Sequence, residues 1–161
     1  MSTVLEHTEE ELIAGCLRKD LKYQKLLYKK YYGLCLGVCL RYSDNREEAA
    51  EILNDGFMKA FTNIQAYTPE KSFKGWLRRI MVNTAIDHYR RNLRHSNTLE
   101  LVHAESEMAT ETTLDQISAA EILELVQQLP PAYRVVFNLH AIEGYSHPEI
   151  AEKLNISEGA S

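Results

Sequence analysis

Residues 72–94 read SFKGWLRRIMVNTAIDHYRRNLR, and this stretch decides the fold class. Its apolar residues recur every three or four positions, which is the period of one face of an α-helix, and Ser72 precedes them as an N-cap. Aromatic and amide side chains are interleaved with arginines, and Arg90, Arg91 and Arg94 cluster near the end. Because arginines neutralise phosphates and aromatic rings stack on unpaired bases, the stretch indicates contact with nucleic acid.

The same pattern also fits an ordinary amphipathic helix with a solvated basic face. Trp76 is then a core residue, which for this one side chain is the favoured interpretation. Arginines near a helix C-terminus also suit the helix dipole. Asn83 and Asp87 lie one turn apart, so both side chains can face one partner surface. The clustering of arginines at one end still favours nucleic acid over solvent.

Helical periodicity continues on both sides of this stretch. Thr8 with Glu11, and Asp44 with Glu47, are cap signals that open helices, and another helix is predicted over about 21–42. Glycine (7) and proline (4) are scarce, which disfavours β-sandwiches and barrels because those folds need many turn residues. The sequence therefore predicts an all-α protein.

Length and composition narrow the class further. The chain of 161 residues is 45% apolar, which suits one domain or two small ones with a packed core. Three cysteines, an odd number, argue against a disulfide framework, and the acidic stretch 1–11 is unlike a secretory signal. We therefore expect a cytoplasmic protein without a membrane span.

Charge divides the chain into two parts. Residues 1–97 carry a net +4 and residues 98–161 a net −9, which together give −5. Screening limits distant charges to about 10 Å at moderate salt, so the local basic stripe at 71–94 can bind a polyanion despite the acidic whole.

A change of character separates two helical units. From 96 to 112 small, polar and acidic residues dominate and apolar periodicity lapses, which predicts a linker. Thr113 with Gln116 then reopens a helix. Apolar stripes end at Pro130–Pro131 and again at Gly144.

Residues 146–157 read SHPEIAEKLNIS and have the arrangement of a helix-turn-helix unit. Ser146 opens a short helix, Asn155 suits the left-handed turn, Ile156 is predicted to pack under it, and Ser157 caps the next helix. A plain helical hairpin fits the spacing equally well. Only four residues follow Ser157, about one helical turn, so we expect this unit to grip a major groove poorly.

Two sets of possible ligands carry weaker signals. The third predicted helix has an acidic side made of Glu47, Glu48, Glu51 and Asp55. The sequence itself supplies no convergent histidine, so a solvated or protein-docking face is favoured over acid–base or metal chemistry. Cys35 and Cys39 lack further zinc ligands and are interpreted as buried thiols. We predict no catalytic residue, no metal site and no cofactor.

Together these segments resemble the sigma-70 family of bacterial RNA polymerase sigma factors, in particular the compact extracytoplasmic-function (ECF) group. Residues 48–61 (EAAEILNDGFMKAF) resemble the acidic region 2 helix, and residues 72–91 resemble the promoter-melting helix. Residues 129–139 (LPPAYRVVFNL) and 143–159 (EGYSHPEIAEKLNISEG) resemble the opening of region 4.

The resemblance implies a sigma factor, not an enzyme, that binds core RNA polymerase and directs promoter recognition and strand opening. Region 2 would span residues 1–95, the linker 96–112, and an incomplete region 4 residues 113–161. The linker would thread toward the RNA exit path. Implied partners are the clamp of the largest polymerase subunit, the flap of the second, promoter DNA and an anti-sigma factor.

Residue roles are also implied by the resemblance. The clamp would be met by Glu48, Glu51, Asn54 and Asp55. The loop from Tyr67 to Lys74 would trap a flipped base of the −10 element. Contacts around that element would come from Ser72, Phe73, Lys74, Trp76, Arg79, Asn83, Asp87, Arg90, Arg91 and Arg94. The −35 element would be met by Ser146, His147, Ser157, Glu158 and Ser161. Two departures are noted: Glu51 and Asn54 stand where the family often has Asp and Gln, and most of the recognition helix is missing.

Two other functions stay open from the residues. A free-standing helix-turn-helix regulator would bind operators as a dimer, without polymerase. A small helical nuclease would use Asp87, His88 and nearby carboxylates with a metal. The two residues are adjacent and so point to different sides of a helix, which weakens the second alternative.

Overall fold

The computed structural model of the protein describes residues 6–95 and 118–161. Within these ranges the regular structure is entirely helical, which confirms the predicted all-α class. Seven α-helices are α1 (Glu9–Leu17), α2 (Leu21–Arg41), α3 (Arg46–Thr62), α4 (Phe73–His95), α5 (Ala119–Gln128), α6 (Pro131–Phe137) and α7 (His147–Leu154). Short 3-10 turns lie at Ile64–Ala66 and Glu158–Ala160, and a π-helical turn lies at Asn138–Ile142.

Side-chain caps explain where most helices begin. Thr8 and Ser72 accept hydrogen bonds from the backbone N–H of Glu11 and Gly75, both at 3.2 Å, as predicted. The predicted cap at Asp44 is wrong by one position. Asn45 caps α3 instead, because its side chain lies 2.8 Å from the backbone N–H of Glu48.

Helices α1 to α4 form the first unit, called here the N-terminal unit. Its core is formed by the apolar faces of α2, α3 and α4, and fully buried members are Leu27, Val38, Ile52, Leu53, Leu77 and Met81. Leu17, the last residue of α1, is 45% exposed. Gly56 of α3 faces Met81 of α4 so closely that a Cβ on the glycine would lie 2.4 Å from the methionine sulfur. The two helices that carry the predicted functional faces are therefore in intimate contact.

Helices α5 to α7 with the π turn form the second, C-terminal unit. The predicted helix opening at Thr113 lies outside the described residues; α5 begins after Ser118, which forms a capping box with Glu121. A second capping box, Ser146 with Glu149, opens α7 as predicted. Asn155 ends α7 in the left-handed conformation (φ 55°), which confirms the turn. Ile156 is 36% exposed, so the prediction that it packs under this turn is wrong.

The two units pack against each other through buried polar groups. Arg134 of α6 is 3% exposed, and its guanidinium donates to the backbone oxygens of Val126, Gln127 and Leu129 and to the Asp44 carboxylate, the last at 2.6 Å. Asn138, fully buried, donates to the backbone oxygen of Arg41 at 2.8 Å. Backbone carbonyls of the C-terminal unit thus hold the Arg134 guanidinium in the position from which it contacts Asp44 of the N-terminal unit.

Candidate nucleic-acid and polymerase interface

One face of α4 carries the predicted contacts to nucleic acid. Arg79, Asn83 and Arg90 fall within about 40° of one another around the helix axis at 3.6 residues per turn. Arg79 and Asn83 are exposed, and the side chains of Arg90 and Arg91 are 41% and 55% exposed. The side chain of Arg94 lies outside the described residues. The exposed face is therefore cationic with an amide at its centre, which suits phosphates and base edges.

His88, which the sequence analysis did not assign to this interface, joins α3 to α4. The ring Nε2 of His88 lies 2.8 Å from the Asp55 carboxylate, and a guanidinium nitrogen of Arg91 lies 3.9 Å from the same carboxylate oxygen. The His88 side chain is only 12% exposed, so this contact is shielded more than its neighbours. Asp55, predicted to meet the polymerase, therefore also lies beside Arg91, which is predicted to meet DNA.

A second link between the two helices lies one turn further along α3. The Lys59 ammonium is 3.0 Å from the Asp87 carboxylate, and Arg90 approaches the other Asp87 oxygen at 4.0 Å. Pairs this exposed contribute at most about 1 kcal/mol each. The Asp87 carboxylate is therefore already engaged by Lys59, with Arg90 beside it.

The loop before α4 is held by an aromatic cluster. Phe73 is 2% exposed, and its ring packs against the rings of Tyr31, Tyr67 and Trp76 with centroids 5.2–5.5 Å apart. The prediction that Phe73 contacts DNA is therefore corrected, because the ring is buried in the core beneath the loop. The Tyr67 hydroxyl donates to the backbone oxygen of Lys71 at 2.6 Å. Ser72 and Lys74 are exposed. Trp76 is half-buried, which is compatible both with a core residue and with a contact to DNA.

The acidic face of α3 contains an apolar side chain that sequence reasoning missed. Glu51 and Asn54 are exposed and Glu48 is half-buried, and Asn54 accepts a hydrogen bond from the Tyr28 hydroxyl at 3.4 Å. Met58 is 68% exposed and lies within about 20° of Glu51 around the helix. Methionine is enriched in protein interfaces, so its place among carboxylates is typical of a docking face. The available signal in the sequence was its position seven residues after Glu51, which places it on the acidic face of the helix.

The helix-turn-helix end of the second unit presents polar groups. Ser146, His147, Ser157 and Glu158 are exposed, as predicted for contacts with a partner. The His147 ring stacks on His140 at 4.3 Å, and its Nδ1 lies 2.9 Å from the Ser161 hydroxyl. Apolar side chains are also exposed on this unit, namely Ile122, Tyr133, Phe137 and Ile142.

The cysteines take no part in these surfaces. All three are buried with reduced thiols, which confirms the interpretation of Cys35 and Cys39 as core residues. Burial raises the pKa of Cys16 to about 11 and the pKa values of Cys35 and Cys39 to about 12, since a thiolate is poorly solvated in the core. Over residues 6–95 and 118–161, His, Cys, Asp and Glu side chains form no group of three or more that could hold a metal ion. No helix of the described part of the chain has the length and apolarity to cross a membrane.

Comparison with known proteins decides the family. A model of sigma-70 region 2 matches residues 27–95, and a model of sigma-70, region 4 matches residues 119–161. The ECF RNA polymerase sigma factor SigW of Bacillus subtilis is 31% identical over 134 residues, which cover 76% of this chain and 72% of that protein. The chain belongs to the ECF group of the sigma-70 family. This sigma factor is thus a non-enzymatic initiation factor that acts in promoter recognition and transcription initiation.

Other relatives span nearly the whole sigma factor. The RNA polymerase sigma-H factor of Pseudomonas aeruginosa is 25% identical, with 96% of this chain and 86% of that protein covered. The ECF RNA polymerase sigma-E factor of Haemophilus influenzae is 24% identical, with coverages of 94% and 86%. Among solved structures, "Structure of CnrH in complex with the cytosolic domain of CnrY" aligns with a TM-score of 0.46 at 22% identity, over 92% of this chain and 84% of that chain.

Proposed function

We propose that region 2, residues 1–95, docks on the clamp of the largest polymerase subunit through α3 and opens the −10 element with α4. Region 4, residues 113–161, docks on the flap of the second subunit and carries the first part of the −35 reader. The observation that carries the proposal is the Asp55–His88 contact at 2.8 Å, since it joins α3, which carries the acidic residues and Met58, to α4, which carries the basic face. A polymerase bound to one helix is thereby placed beside DNA bound to the other.

Strand opening by this surface is energetically feasible without ATP. Taking one base out of the stack costs a few kcal/mol. Stacking on an aromatic side chain returns about 1–3 kcal/mol per base, and each neutralised phosphate adds to this. The packed loop of Tyr67 and Trp76 supplies partly exposed rings that need no reordering when a base arrives.

Region 4 offers an apolar surface for its polymerase contact. Ile122, Tyr133, Phe137 and Ile142 are exposed there, and aromatic side chains are enriched at the centres of protein interfaces. An anti-sigma factor is the further proposed partner, and it would compete with the flap for the same apolar side chains. The two partners are distinguished by whether an added anti-sigma factor displaces core polymerase from the chain.

The nuclease alternative is disfavoured by side-chain pairing. Asp87 contacts Lys59, whereas His88 contacts Asp55, so these two groups do not converge on a common point. The regulator alternative gives no role to the exposed acidic face of α3. It predicts duplex binding without polymerase, whereas the sigma factor requires core enzyme for specific promoter binding.

Run-off transcription with purified core polymerase tests the proposal directly. Adding the chain should give promoter-specific transcripts, and permanganate should modify unpaired thymines at the −10 element only when core and chain are both present. Glu51→Lys should weaken core binding, whereas Glu10→Lys, a matched exposed change on α1, should leave it unaltered. Core polymerase that neither retains the chain nor opens the promoter with it would refute the assignment.

The DNA-binding face is tested through salt dependence. Arg90→Ala and Arg91→Ala in holoenzyme should each lower the slope of log K against log[salt] by about 1, because each removes one phosphate contact. Arg46→Ala is the matched control, since Arg46 is exposed at the start of α3. Slopes unchanged in both α4 variants would show that these arginines do not meet phosphate.

A further inference from the structure

Two arginines of region 2 converge on one carboxylate of region 4. Glu143 follows the π turn, and its two carboxylate oxygens accept from Arg78 of α4, at 2.8 Å to Nη2 and 3.4 Å to Nε. The same carboxylate lies 3.8 Å from Nη2 of Arg41, the last residue of α2. The Glu143 side chain is 14% exposed, so this contact is largely shielded from water.

One carboxylate is too little for two guanidinium groups. Nε and Nη2 of Arg41 are buried and make no hydrogen bond in the described part of the chain. Burial, and then the neighbouring charge of Arg78, lower the pKa of Arg41. Within the described residues, Glu143 is the acid that pairs with either arginine. The pair therefore has unused donors and a net positive charge.

We propose that Arg41 and Arg78 form a binding site for a backbone phosphate of promoter DNA, and that Glu143 occupies this site while regions 2 and 4 are packed together. A phosphate diester presents two charged oxygens, as a carboxylate does, and arginine binds both in the same forked geometry. The proposal rests on the proposed function. To that function it adds a phosphate contact by two arginines that are not among the residues predicted to meet the −10 element. It also adds a carboxylate, Glu143, that masks this contact.

The position of Arg78 favours DNA over an acidic protein surface as the ligand. It lies on α4, next to Arg79, whose side chain belongs to the exposed cationic face. Its own side chain is still 34% exposed beside Glu143. A DNA backbone bound along the cationic face would therefore pass close to Arg78, and through it to the Arg41–Arg78 pair.

Promoter geometry requires that Glu143 leave the pair. His147, where α7 begins, is four residues from Glu143, and Asn83 is five residues from Arg78 on α4. Adding the bridging side chains places the two predicted reading surfaces within about 35 Å of each other. The −10 and −35 elements are about 25 base pairs apart, or about 85 Å at about 3.4 Å per step. The packed arrangement cannot contact both, so reading both exposes Arg41 and Arg78.

The first test uses holoenzyme, in which the pair should already be unmasked. Arg78→Gln should lower the slope of log K against log[salt] by about 0.9, so its affinity deficit should shrink about 3.5-fold between about 50 and 200 mM salt. Arg78→Lys should keep the slope because the charge remains, and Arg46→Gln is the control for an exposed arginine elsewhere. Circular dichroism and retained core binding establish that each variant is folded.

The second test uses the chain without polymerase and a promoter duplex. Glu143→Gln should raise the affinity several-fold and steepen its salt slope, because the pair is no longer masked. The double variant Glu143→Gln/Arg78→Gln should lose that gain. In holoenzyme, Glu143→Gln should leave the slope unchanged.

Three outcomes would overturn the proposal. The first is an unchanged slope for Arg78→Gln holoenzyme, and the second is no gain in DNA affinity from Glu143→Gln. The third is a loss of core affinity in Arg78→Gln with an unaltered DNA slope, which would assign the pair to an acidic polymerase surface. If Arg90→Ala and Arg91→Ala lower their slopes while Arg78→Gln does not, the proposed function survives and only this inference fails.

Discussion

The close approach of α3 and α4 at Gly56 predicts a specific cost for adding one methyl group. In Gly56→Ala the new Cβ would lie 2.4 Å from Sδ and 2.9 Å from Cε of Met81, whereas favourable carbon contacts lie near about 3.5–4.0 Å. Met81 is fully buried, and its sulfur also lies 4.0 Å from the Cys39 sulfur, so it must move by more than about 1 Å within a filled core. Overpacking of this kind costs about 1–3 kcal/mol.

The helical preference of alanine opposes this cost. Replacing glycine within a helix contributes about 0.8–1.0 kcal/mol, so Gly56→Ala should lower the free energy of unfolding by up to about 2 kcal/mol. Gly33→Ala on α2 is the matched control, because a Cβ there meets nothing within 4 Å and should stabilise by about 1 kcal/mol.

Urea unfolding of these variants measures the difference between the two sites. Gly56→Ala combined with Met81→Val should recover the helix-propensity gain, since valine does not reach the position of the methionine sulfur, and the double-mutant cycle should show coupling. A Gly56→Ala protein as stable as Gly33→Ala would refute the reasoning.

Three further predictions concern the turn, the docking face and the core thiols. Asn155→Ala should destabilise by about 1 kcal/mol in urea unfolding, because alanine is disfavoured at φ 55°, whereas Asn155→Gly should be near neutral; equal losses in both would contradict this. Met58→Ala should weaken core polymerase binding several-fold without changing stability by more than about 0.5 kcal/mol, and Leu21→Ala, at a side chain 79% exposed on α2, should leave binding unaltered. The thiols should resist alkylation at pH 8 until the chain unfolds. Their folded pKa values of about 11–12 exceed the ordinary 9.0, so the unfolded state loses protons first and stability should fall as pH rises from 9 toward 12; a stability that rises over this interval would contradict the burial of the thiols.

Site residues that follow a local sequence pattern could be predicted, whereas those that depend on contacts between distant residues could not. The exposed arginines of α4 and the acidic residues of α3 were predicted because each set recurs at the period of its own helix. Phe73 was misassigned because an aromatic residue at a helix start looks the same in sequence whether it stacks on a base or on Tyr67 and Trp76. The cap at Asp44 was misplaced because Asn45 beside it is an equally good cap, and Asp44 is instead used by Arg134.

The sequence by itself determined most of the helices, the left-handed turn at Asn155 and the division into two helical units, because caps and apolar periods are local patterns read within about 11–18 residues. Only the tertiary structure decided which charges meet. Asp55 and His88 are 33 positions apart, and Arg78 and Glu143 are 65. Such pairs depend on how the helices pack, and packing is set by the fit of whole faces, which no local pattern encodes.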